Sequence, residues 1–141
     1  MRTAVARKNM PLRKNTALRN EQADALGSQF DAGTLEIYTG TQPADPNSAV
    51  TGSLLATITI PNPAFAAASG GAVAKSGTWT TTATGTGVAG YARFISADTL
   101  KTMDAVVTNV PGGNDLLINN VDIAIGNTVT VVSLILTTPA S

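Results

Sequence analysis

A chain of 141 residues has the length of one domain with a short extension, and it contains neither Cys nor His. That excludes disulfides, thiolate chemistry, His-containing triads and any zinc or iron site needing more than carboxylates. The formal net charge is zero, from nine bases and nine acids, yet the charges are sorted by position. Six bases (Arg2, Arg7, Lys8, Arg13, Lys14 and Arg19) fall in the first twenty residues, which hold no acid. Only Lys75, Arg93 and Lys101 accompany the nine acids that follow, so a +6 arm precedes a −6 body. Such a split implies a negatively charged partner for the arm, or another copy of the body.

Residues 1–14 show neither a helical nor a strand period and are interrupted by Pro11, which predicts an extended arm. Its composition, Arg-rich and acid-free, is also that of a mitochondrial transit peptide, the less favoured reading. Ordering about twenty backbones costs roughly 20–40 kcal/mol, and six surface charge pairs at about 0.2–1 kcal/mol each do not offset it. The arm must therefore bury apolar groups as well, and Val5, Met10, Leu12, Leu18 and Leu26 are its anchors. Asn15 is placed to cap a short helix through Leu26, with Gly27 as the C-terminal stop. Arm and helix together form residues 1–33, and a β-domain takes residues 34–141.

From Thr34 the pattern changes to short β-prone runs between turn residues. Thr34 to Thr39 alternates Leu35 and Ile37 with polar neighbours, and the following loop, Gly40 to Gly52, carries Pro43 and Pro46, which exclude a central strand. In Ser53 to Ile60, Leu54, Ala56, Ile58 and Ile60 are expected on one face, with Thr57 and Thr59 on the other. Pro61 and Pro63 end that run. Ala72 to Thr84 predicts one or two strands around Gly77, then Val88 to Ser96, Met103 to Asn109, Asp115 to Ile125 and Thr128 to Thr138 follow. The last run is apolar on both faces, Val129, Val131 and Ile135 opposing Val132, Leu134 and Leu136. A strand of that kind is buried on both sides or meets a neighbouring subunit. Seven or eight strands at this spacing predict an all-β fold, a β-sandwich or jelly roll. No apolar run approaches the length of a membrane helix.

Candidate chemistry is sparse. Asn119, Asn120 and Asp122, with Asn114 and Asp115, have the hard oxygens of a weak calcium site, although turn chemistry explains them more simply. Gly85-Thr86-Gly87-Val88-Ala89-Gly90 matches G-x-G-x-x-G, with Asp104 downstream, but the residues that follow predict a strand where a phosphate site needs a helix. Trp79, Tyr91 and Phe94 are either a stacking set for a sugar or base, or the filling of the core, and the core is preferred. No spacing argues for a glycosidase carboxylate pair. The expectation is a protein without catalytic residues, cofactor or metal. The arm lacks interleaved aromatics and the body is acidic, so a protein surface is preferred to nucleic acid as its partner.

Leu35-Glu36-Ile37-Tyr38-Thr39-Gly40-Thr41-Gln42-Pro43-Ala44, Ser53-Leu54-Leu55-Ala56, Pro63-Ala64-Phe65 and Gly90-Tyr91-Ala92-Arg93-Phe94 form a recognisable series of phrases. With Asp115-Leu116-Leu117-Ile118-Asn119 and Gly126-Asn127-Thr128-Val129, they resemble the small virion structural proteins of tailed bacteriophages. The resemblance covers roughly residues 34–138 and leaves the arm outside; the turn Ser96 to Lys101 is longer than the pattern predicts. It implies a structural part of the particle; together with the basic arm and the β-domain, the expectation is a non-enzymatic capsid decoration (cement) protein, a homo-oligomer on the capsid surface, present in the host cytoplasm during assembly. The partner it implies is the major capsid protein or another virion protein. The arm residues expected to make the contact are Arg2, Arg7, Lys8, Met10, Leu12, Arg13, Lys14, Leu18 and Arg19. Alternatives are a neck, tail or fibre component, or a glycan-binding attachment module.

Overall fold

The Asn15 side chain accepts a hydrogen bond from the Leu18 amide (3.0 Å) and starts helix α1, Thr16–Ser28, where the sequence places it. The computed structural model of the chain describes residues 12–109 and 116–139. Gly27 is not the helix stop. It lies inside α1, buried, and a Cβ there would meet Phe65 Cδ2 at 2.9 Å, so glycine is required by close packing and the cap falls at Gln29.

Nine strands follow: β1 (Thr34–Thr39), β2 (Leu54–Thr59), β3 (Ala72–Ala74), β4 (Thr80–Thr82), β5 (Gly87–Ile95), β6 (Thr102–Thr108), β7 (Leu116–Ile118), β8 (Asp122–Ile123) and β9 (Thr128–Thr137). They form one mixed sheet in the order β2-β1-β5-β6-β7-β9-β3, with β4 also on β9 and β8 also on β5. Every pairing is antiparallel except β6 with β7. The fold is all-β with one helix among the described residues, and the sheet curls into a half-barrel. The curl brings the segment after β4 to β2, where the Thr84 and Gly85 amides both donate to the Leu55 carbonyl (2.9 and 3.1 Å). The concave side holds the core. Phe30, Phe94, Trp79 and Phe65 run through it edge to face, and the Trp79 indole donates to the Ser76 carbonyl (2.9 Å).

Two bulges change which residues face the core. The β1–β2 register jumps from Ile37↔Ala56 to Tyr38↔Leu54, so Leu55 is the extra residue. Leu55 is fully buried and Leu54 is exposed, reversing the face expected for Leu54. In β9 the register passes from Leu117↔Ser133 to Ile118↔Val131 around the extra Val132. Val129, Val131 and Leu134 therefore point inward, while Val132 and Ile135 are 53% and 51% exposed. Within one chain β9 is covered on one face, not on both as its composition suggests. The run expected from Asp115 to Ile125 is broken, among the described residues, into β7 and β8 by the Asn119–Val121 turn.

Candidate interaction surfaces

The arm enters the described structure at Leu12, which is 82% exposed, followed by exposed Arg13 and half-buried Lys14. Arg2, Arg7, Lys8 and Met10 lie outside the described residues. Leu18 is half-exposed on α1 and available to a partner. Arg19 is not: its Nε donates to the Thr138 carbonyl (3.0 Å) and its Nη2 to that of Gly70 (3.3 Å), which fastens the helix start to the end of β9. Its place is thus within the body rather than on the arm's partner.

Three further bonds sew α1 and its following turn to residues 64–71. Asn20 Oδ1 accepts from the Gly71 amide (2.8 Å), Asp24 Oδ1 from Ala68 (2.8 Å) and Asp31 Oδ1 from Ala64 (2.7 Å). Ala23 and Phe30 join the buried core. The packed unit therefore begins at Asn15, not after residue 33. Between the C-terminal half of α1 and residues 63–67 runs a groove of about 220 Å³, with Asp24, Ser28 and Asp31 on one wall and Pro63, Phe65 and Ala66 on the other. Neither carboxylate makes a second hydrogen bond among the described residues.

The convex face of the sheet is polar at one end and apolar at the other. The loop between β1 and β2 lies over Tyr38, Tyr91 and Arg93. Tyr91 Oη donates to the Thr51 carbonyl (2.8 Å) and accepts from the Thr51 amide (2.9 Å), while its ring stacks on Tyr38 at 5.4 Å. Arg93 grips Asp104 through Nε (2.7 Å) and Nη2 (2.9 Å), and its Nη1 donates to the Ser48 carbonyl (2.7 Å). The bond to Asp104 raises the affinity of Arg93 for its proton above the ordinary value. Burial, reinforced by the hydrogen bond and charge of Glu36, raises the Tyr38 phenol likewise. Neighbouring strands carry the same face onward through Val106, Leu117, Val132 and Ile135, with Thr108 and Ser133 on either side of Leu117 and no charged side chain among these six. Val106, Val132 and Ile135 are 42%, 53% and 51% exposed.

The remaining sequence candidates resolve into structure. Asn119 Oδ1 accepts from Thr130 and its Nδ2 donates to the Thr128 carbonyl, while Asn120 Oδ1 accepts from the Asp122 amide. These oxygens hold turns, and Asn114 and Asp115 lie outside the described residues. The glycine run leads into β5, not into a helix, and a Cβ on Gly90 would collide with the Gly40 backbone. Asp104 belongs to Arg93. Trp79 and Phe94 fill the core and Tyr91 is sealed under the loop, all with no exposed surface. These rings offer no stacking platform to a sugar. No family model matches the chain, and neither a curated protein nor a solved structure does.

Proposed function

We propose that the chain is a non-enzymatic structural component of a tailed-bacteriophage particle, a decoration (cement) protein that attaches to the shell through its basic arm and ties capsid subunits together. The observation that carries this reading is the sorting of charge: five bases and no acid precede Asn15, where the packed body begins. An arm joined so close to a rigid helix transmits load to the body, and many copies on one shell add avidity. Its partner on this reading is the major capsid protein or another virion protein. The uncharged convex stripe Val106, Leu117, Val132 and Ile135 is the surface through which copies associate. The curled sheet is taken as a distorted sandwich or jelly roll, the finer form of its all-β fold.

A neck, tail or fibre position is the second reading, supported by the same arm. Copy number in purified particles separates the two. Hundreds of copies in fixed ratio to the shell protein support decoration, whereas six or twelve place the chain at the neck or tail. Absence from particles overturns both.

A further inference from the structure

We propose that the groove between α1 and residues 63–67 receives the basic N-terminal arm of a second copy of this chain. The inference deepens the strap role given to the arm and names a different surface for it to grip. The groove has an apolar wall, Pro63, Phe65 and Ala66, facing an acidic one, Asp24 and Asp31. Each of these carboxylates spends Oδ1 on a backbone amide, at 2.8 and 2.7 Å, and keeps Oδ2 for an incoming donor. Glu21, three residues before Asp24 on α1, is exposed and adds a third negative charge to that side of the helix.

The arm is complementary in kind. Arg2, Arg7, Lys8, Arg13 and Lys14 are interspersed with Val5, Met10 and Leu12, so the arm carries both cations for the carboxylates and apolar groups for the other wall. In the body, Arg93 and Lys101 are paired with Asp104 and Asp98, Arg19 is bonded to carbonyls, and Lys75 Nζ donates to the Gly77 carbonyl. Arg13 and Lys14, the described bases of the arm, make no ion pair or hydrogen bond among the described residues, and the groove wall supplies carboxylates with one oxygen open. Geometry favours a neighbour over the chain's own arm. Asn15 is extended (φ −75°, ψ 171°), and Asp24 lies nine residues further, roughly 13 Å along the helix. Docking within one chain would require the arm to reverse and run back along α1. Fourteen extended residues reach roughly 45 Å, enough to cross to another copy. A heterologous contact of this kind closes rings or extends arrays.

Carbodiimide coupling of the purified full chain, at low salt, tests the proposal without mutation and without particles. Equal parts of ¹⁵N-labelled and unlabelled protein are mixed, coupled and analysed by mass spectrometry. Lys8 or Lys14 joined to Asp24 or Asp31 in mixed-isotope pairs is the expected result. Same-isotope pairs alone mean the arm docks on its own chain and overturn the proposal; so do couplings that avoid the groove. As a second measurement, Asp24→Asn with Asp31→Asn keeps both Oδ1 acceptors and removes the charge. It should weaken self-association in sedimentation roughly tenfold, and an unchanged sedimentation profile overturns the proposal. Should the double variant unfold, Arg7→Gln with Lys8→Gln leaves the packed body untouched and must give the same loss. Because neither measurement involves a particle, failure here leaves the capsid reading standing, and a chain absent from particles leaves this contact standing.

Discussion

Arg93 shows what one residue contributes to this fold. Its partner Asp104 has a side chain only 1% exposed, and the guanidinium also holds the β1–β2 loop through Ser48. Arg93→Met should therefore cost about 3–5 kcal/mol in urea unfolding, because it leaves a buried carboxylate without a counter-charge. Adding Asp104→Leu should restore most of that loss; if it does not, loop attachment rather than the ion pair dominates. Asp98 is the other informative carboxylate. Hydrogen bonds from Ser96 Oγ, the Leu100 amide and Lys101 hold it at about 2, below its usual value of 3.8. A folded pKa below the unfolded one means the turn is stabilised above about pH 4 and loses that contribution as pH falls towards 2. Carboxyl-carbon NMR should show Asp98 titrating near 2. A midpoint near 4 would mean that the Ser96–Lys101 turn is open in solution.

At the scale of the element, β9 decides most. Its bulge at Val132 gives Leu134 to the core at 1% exposure and Ile135 to the convex face at 51%. Leu134→Asp buries an unpaired carboxylate and should cost upwards of about 4 kcal/mol, a large part of a domain's roughly 5–15 kcal/mol. Ile135→Asp should stay folded, with an unfolding midpoint close to wild type, and lose self-association through the convex stripe. Sedimentation of Ile135→Asp distinguishes the outcomes: unchanged association means that the stripe is not an interface. Helix α1 carries a related lesson. Gly27 has the right position for a stop, but the ring of Phe65 needs its missing Cβ, and the helix continues past it.

For the whole molecule, the boundary between arm and body predicts different consequences for two truncations. Deleting residues 2–14 should leave a β-rich circular dichroism spectrum and a nearly unchanged melting point, while attachment to the particle is lost. Deleting 2–20 also removes the Asn15 cap, worth about 1 kcal/mol, along with the Arg19 bonds to Thr138 and Gly70 and the Asn20 bond to Gly71. That variant should melt several degrees lower. Equal melting points for the two would show that α1 contributes little to the body.

The features legible in the residues alone were local. Asn15 announced a cap because its side chain satisfies an amide three residues away, and Pro61 with Pro63 ended β2 because they cannot continue a ladder. Alternation in Thr34–Thr39 placed β1. Tertiary structure decided what depends on register and on distant neighbours. A strand's composition is the same with or without a bulge, so neither the exposure of Leu54 nor that of Ile135 could be read from spacing. Arg19 looks like one more basic arm residue until Thr138, distant in sequence, accepts its hydrogen bond. Asp24 and Asp31 are ordinary isolated acids until the bonds to Ala68 and Ala64 set them on one wall of a groove. Local sequence specifies backbone preference, but only long-range pairing specifies which side chains share a surface.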